Sequence, residues 1–95
     1  MKLDLNFYFL DLDGNPMDGI DGTKTIAQTV AFILATTKTD FDPVDAYDFA
    51  LTLRKEGVVE LKSSDVALLE KTIRNFEPLY PLCKAQIIKA IHSMK

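Results

Sequence analysis

The stretch Phe9-Leu10-Asp11-Leu12-Asp13-Gly14-Asn15 decides which fold the chain is expected to adopt. It has two interpretations: an apolar strand that ends in a catalytic Asp-x-Asp-Gly sequence, or the arms and turn of a β-hairpin. The hairpin requires less, because Asp13-Gly14 supplies two residues that tolerate positive φ, as a tight type I′ turn needs. We therefore predict a hairpin that reverses at Asp13-Gly14.

The residues on both sides of the turn are consistent with strands. Apolar side chains occupy every second position of the first arm: Leu3, Leu5, Phe7 and Phe9. This is the period of a strand with one buried face. Leu10 and Leu12 have the opposite parity, which predicts a bulge or strong twist near Leu10 if all of these side chains are buried. Pro16 cannot donate to a ladder, so the return strand, about 15–19, is predicted to be short and to lie at an edge.

Helical spacing of apolar residues predicts four helices. The first follows capping side chains at 21–23 and runs from 26 to about 37. The second spans 43–56, because Asp42-Pro43 is a strong start signal and Gly57 a natural left-handed cap. The third is expected to be capped by Ser63 or Ser64. The fourth carries Pro81 in its first turn and an apolar stripe that Gln86 interrupts.

The predicted fold class is α+β, with an N-terminal β-hairpin packed against three to four α-helices. The β-branched segment 58–61 is either an extended connector or a third short strand added to the hairpin. No repeat, low-complexity tract or linker divides the chain, so residues 1–95 are expected to form a single compact domain.

Composition and charge narrow the classes of function. The chain has 95 residues and a formal net charge of −3, with nine acids and three bases in 1–50 against five acids and eight bases in 51–95. Cys83 is the single cysteine, which excludes an internal disulfide and two-cysteine metal or redox motifs and favours a reducing, cytoplasmic setting. We find no export signal, and the longest apolar run, 30–35, is too short to cross a membrane.

Asp11 and Asp13 are the strongest candidates for chemistry. Their stretch resembles the opening motif of the haloacid-dehalogenase-like phosphatases, in which the first carboxylate attacks phosphorus and the second handles a proton. Such an enzyme needs several βαβ units of about 30 residues or more, which do not fit in this chain. A calcium loop starting at Asp11 would need glycine at its sixth position and glutamate at its twelfth, where Pro16 and Gly22 stand.

The other reactive residue types have simpler explanations. His92 is predicted to face solvent near a helix C-terminus, and Cys83 to be a small core residue. We therefore expect no catalytic residue, no cofactor and no metal. Basic residues on the third and fourth helices, with Tyr80 as a stacking candidate, allow a nucleic-acid-binding regulator as an alternative. Nucleic acid is not the expected partner, because these bases are dispersed among acids in an acidic chain.

A second resemblance rests on short segments along the chain. They are 1–6 (MKLDLN), 12–16 (LDGNP), 61–65 (LKSSD) and 83–88 (CKAQII). With these segments the chain resembles small proteins encoded in phage and prophage regions. The resemblance implies an accessory or assembly role through protein contact, and it assigns no functional residue.

The leading hypothesis is a non-enzymatic protein-interaction module that binds a protein partner or forms a homo-oligomer. The candidate contact residues are Phe32 on the first helix, Pro16 at the hairpin edge, and Phe41 and Tyr47 flanking or on the second helix. The less favoured alternatives are the nucleic-acid-binding regulator and a minimal phosphoryl-transfer enzyme that uses Asp11 and Asp13.

Overall fold

The computed structural model describes residues 1–94, and it has an α+β fold with four helices and two small antiparallel strand pairs. The strands are β1 (Lys2–Asp4), β2 (Phe9–Leu10), β3 (Pro16–Met17) and β4 (Val58–Glu60). The helices are α1 (Ile26–Thr36), α2 (Pro43–Glu56), α3 (Ser63–Asn75) and α4 (Pro81–His92). A short 3-10 turn at Ile20–Gly22 leads into α1.

β1 pairs with β4, the strand that follows α2 in the sequence. The register places Leu3 opposite Val59, and both side chains are buried. The segment 58–61 thus contributes a strand, which pairs with β1 and not with the hairpin. On the outer face, Lys2 lies opposite Glu60, a cross-strand pair of opposite charge.

The alternation of apolar residues predicts a long first arm of the hairpin. This prediction is wrong, because the strand stops after Asp4. Phe7 donates its N–H to the carbonyl of Leu5 at 2.8 Å, and this tight turn leaves Phe7 exposed. The carbonyls of Leu5 and Phe7 then accept from the N–H groups of Ala27 and Ile26 at 3.0 and 2.7 Å. The chain leaves the strand to satisfy the orphan donors at the start of α1.

The hairpin exists and is formed by β2 and β3, with Phe9 opposite Met17. Its turn differs from the predicted type I′, since Gly14 has φ +84° but Asp13 does not have positive φ. Asp11 donates to the carbonyl of Asn15 at 2.8 Å, which closes a three-residue loop ending in a left-handed glycine. The predicted bulge is unnecessary, because Leu10 and Leu12 are exposed.

The helix ends follow from their capping residues. Asp42 accepts from Val44 and Asp45 at 2.9 and 3.4 Å, and α2 ends at Gly57 with φ +73°, as predicted. The caps of α1 and α3 were predicted wrongly. Thr25, and not residues 21–23, caps α1 by accepting from Gln28 at 3.1 Å. Helix α3 starts with Ser63 inside it, and Asp65 accepts from the N–H of Lys62 at 3.1 Å.

The core lies between α1 and the elements around it. Seven residues of the eleven-residue α1 are buried, so it is the central helix, and one of them is the polar Thr29. Phe9, Leu53, Ile73 and Ile87 bring β2, α2, α3 and α4 into the same cluster. This arrangement leaves one side of the α1–α2 pair facing solvent.

Candidate protein-interaction surface

Helices α1 and α2 form a groove of about 400 Å³ on the surface. Alanines at the facing positions Ala31, Ala35 and Ala50 leave space between larger neighbours. The groove is lined from α1 by Gln28, Ala31, Phe32 and Ala35, from α2 by Tyr47, Ala50, Leu51 and Arg54, and at one end by Asp21 and Thr23. The structure thus brings together two of the four predicted contact residues, Phe32 and Tyr47.

The two aromatic residues play different parts in this groove. Phe32 is half-buried on the helix that packs into the core, whereas Tyr47 is 60% exposed on α2. Phe32 is therefore held in place as part of the groove wall. Tyr47 presents an apolar ring with a polar tip to solvent, a combination that is enriched at protein interfaces.

Tyr47 belongs to an exposed apolar stripe along α2. Val44 is 65% exposed and Leu51 39%, and with Tyr47 they are spaced by three and four residues, so they lie on one helix face. We call Val44, Tyr47 and Leu51 the α2 stripe. Val44 and Leu51 were not among the predicted contact residues, although their spacing in the sequence places them opposite Ala46, Ala50 and Leu53, which are buried.

The other two predicted contact residues lie elsewhere. Phe41 is buried, and its ring meets that of Phe49 edge to face at 5.6 Å between centroids. It packs against Phe49 of α2 and is a core residue. Pro16 is exposed on β3 and does not line the α1–α2 groove.

Asp11 has a structural use in the hairpin. Its Oδ1 accepts from the N–H groups of Asp13 and Asn15, both at 2.9 Å. This is the Asx-turn arrangement, in which a carboxylate replaces a backbone acceptor in a chain reversal. The Asp13 side chain is exposed on the turn. Among residues 1–94, no group of three or more His, Cys, Asp or Glu side chains could hold a metal ion.

His92 and Cys83 take part in packing and surface contacts. The Nε2 of His92 lies 2.5 Å from Glu70 Oε1, while Arg74 donates to Glu70 Oε2 at 2.9 Å. These contacts hold the pKa of the Glu70 carboxyl below its ordinary value, Arg74 having the larger effect. Cys83 is buried, and desolvation raises the pKa of its thiol, which disfavours the reactive thiolate.

Three of the bases on α3 and α4 have partners within the fold, and one of them is Arg74 in its pair with Glu70. Lys71 pairs with Asp40 at 2.5 Å, and Lys84 donates to the carbonyl of Arg74 at 2.9 Å, near the end of α3. Three of the basic charges on α3 and α4 are therefore accounted for by contacts with a carboxylate or with the end of a helix.

Comparisons with known proteins give no further assignment. No family model matches the chain, and searches of curated proteins and of solved structures find no match either. Over residues 1–94, none of the helices combines the length and the apolar character that crossing a membrane requires.

Proposed function

We propose that this protein is a non-enzymatic protein-interaction module, and that the α2 stripe with the adjoining α1–α2 groove is its contact surface. The observation that carries the proposal is the exposure of Val44, Tyr47 and Leu51 on one face of a well-capped helix. Burying such side chains against a partner releases about 25 cal/mol for each Å² of apolar area. Binding of a partner to this face is therefore favoured over leaving the face exposed to water.

The groove beside the stripe adds the features of an interaction hot spot. Tyr47 and Arg54 border it, and tyrosine and arginine are enriched among residues that dominate binding energies. Phe32 and the alanines of α1 give the groove a rigid apolar wall, because α1 is the central helix of the core. A protruding apolar side chain of a partner fits such a site.

The hydrogen bonds of Asp11 support a role without catalysis. One oxygen of Asp11 already accepts two backbone N–H groups in the hairpin turn, which accounts for its presence without a reaction. The resemblance to phage- and prophage-encoded proteins extends the proposal to an accessory or assembly role in the cytoplasm.

Site-specific photo-crosslinking tests the proposal. The photoreactive residue p-benzoylphenylalanine replaces Tyr47 in one variant and Tyr80 in a matched control, since Tyr80 is 74% exposed but outside the groove. In the cells that produce the protein, we expect discrete adducts from position 47 and none from position 80. Adding Leu51→Glu to the first variant should abolish these adducts. Equal labelling from both positions, or no adduct from position 47, would contradict the proposal.

A further inference from the structure

We infer that the occupant of this surface is a second copy of the chain, which pairs with the first through antiparallel α2 helices around a two-fold axis near Leu51. The inference rests on the proposed contact surface and names its partner. It is carried by the order of charged and apolar residues along the exposed face of α2.

The outward charges of α2 have no counterpart within the helix. Asp48 and Lys55 are both exposed, and neither has an ion-pair partner among the salt bridges of residues 1–94. The residues three and four positions from Asp48 are Val44, Asp45, Leu51 and Thr52, none of them basic. Asp48 and Lys55 are two helical turns apart, about 10 Å along the axis, so they do not pair with each other.

An antiparallel copy supplies the missing counterpart. The two-fold axis lies between the two facing helices and is perpendicular to both. It makes the helices antiparallel and brings the same flank of each helix together. With Leu51 at the axis, Asp48 of one copy lies beside Lys55 of the other, and the symmetry makes this pair twice. The contact is isologous, the usual form of a homodimer interface.

The opposite flank of the stripe obeys the same symmetry. Tyr47 and Arg54 are also seven residues apart, and their midpoint coincides with Leu51 to within about one residue. The same axis therefore places Arg54 of one copy over the ring of Tyr47 of the other, a cation–π contact. Leu51 packs against its own copy at the centre. One axis thus satisfies two flanks and the apolar centre together.

The size of α2 sets the expected strength. A 14-residue helix is about 21 Å long. One helix pair of this length buries less than the roughly 1,200 Å² of stable complexes. The dimer should therefore be weak, depend on protein concentration, and dissociate as salt screens its exposed ion pairs.

Charge reversal tests the pairing with the full chain. Sedimentation equilibrium at low salt should show a monomer–dimer equilibrium for the unmodified protein. Asp48→Lys alone and Lys55→Glu alone each place like charges together twice, and we expect the dissociation constant to rise about tenfold or more. The double variant Asp48→Lys/Lys55→Glu restores both pairs and should recover the original constant. An equimolar mixture of the two single variants should form heterodimers.

Leu51→Glu and a matched control complete the test. Leu51→Glu places two carboxylates at the axis and should abolish association, whereas Leu12→Glu, at the 92% exposed tip of the hairpin, should leave it unchanged. Circular dichroism of each variant verifies that α2 still folds. A monomer at every concentration, or no recovery in the double variant, would overturn the inference. If position 47 then still crosslinks a different protein, the proposed function stands without the homodimer.

Discussion

Gln86 binds Leu10 with both ends of its side-chain amide. Its Oε1 accepts from the Leu10 N–H at 2.9 Å, and its Nε2 donates to the Leu10 carbonyl at 2.7 Å. The amide therefore occupies the outer edge of β2 as a neighbouring strand would. It explains why a polar residue interrupts the apolar stripe of α4, and it connects the hairpin to the helix across 76 residues of sequence.

We expect Gln86→Ala to release the hairpin from α4. Two hydrogen bonds at about 0.5–1.5 kcal/mol each lead us to expect a loss of about 1–3 kcal/mol in the free energy of unfolding. Amide hydrogen exchange of Leu10 should become faster. Gln86→Glu keeps the acceptor but loses the donor, so it should fall between the two proteins in urea denaturation. Unchanged exchange at Leu10 in Gln86→Ala would show that the amide does not hold the hairpin.

Gly57 and Gly14 both have a left-handed backbone conformation, with φ of +73° and +84°, and they can therefore be compared. A Cβ at Gly14 would meet nothing within 4 Å, whereas at Gly57 it would collide with the Asn6 side chain, which donates to the carbonyl of Glu56 at 2.9 Å. Gly14→Ala should cost about 1–2 kcal/mol from backbone strain alone. Gly57→Ala should cost clearly more, and denaturant titration of both variants measures the difference. Equal losses would contradict the predicted collision.

Thr29 carries a fully buried hydroxyl on α1. Thr23 Oγ1 donates to the carbonyl of Ile20 at 2.7 Å, so its single proton is used, and Thr29 donates to Thr23 across their 2.6 Å contact. Thr29→Val keeps the volume but loses this bond, and we expect a loss of about 1 kcal/mol in unfolding free energy. Thr36→Val on the same helix removes an exposed hydroxyl and should change stability little. Thermal unfolding of both variants measures these two changes in stability.

The Glu70 carboxyl should influence stability on the acid side. Its pKa in the folded state lies below the ordinary value because Arg74 and His92 bind the charged form. A depressed pKa contributes stability that is present above the unfolded value of about 4.3 and is lost as the pH falls through the folded value. Carboxyl NMR titration should show the Glu70 midpoint rising in Arg74→Ala, and rising less in His92→Ala. A midpoint that both variants leave unchanged would contradict this assignment.

The helices were predictable because their signals are local. Asp42-Pro43 and Gly57 determine both ends of α2 within a few residues of the sequence, and the structure confirms them. The hairpin was predictable for the same reason, since Gly14 supplies the left-handed residue that its turn needs.

The pairing of the strands depends on contacts that are distant in sequence. Leu3 pairs with Val59 because α2 brings β4 back to the N-terminus, and alternation around Leu3 gives no information about its partner. Phe7 fits the alternating pattern but is exposed, because its carbonyl is needed at the start of α1. Of the proposed contact surface, the sequence analysis named Tyr47 and Phe32, and the structure shows that Tyr47 is exposed and that both side chains line the α1–α2 groove.

Substitutions of Asp11 distinguish the hypothesis that it is a turn residue from the hypothesis that it is a catalytic nucleophile. Asp11→Asn keeps an oxygen at the position that accepts from Asp13 and Asn15, so the hairpin and its stability should be retained. Asp11→Ala removes the acceptor and should cost about 1–2 kcal/mol. Under the interaction-module hypothesis, a magnesium-dependent phosphatase assay gives the same background for all three proteins. Turnover that Asp11→Asn abolishes while its fold is intact would establish the enzyme instead, because the amide cannot attack phosphorus as the carboxylate does.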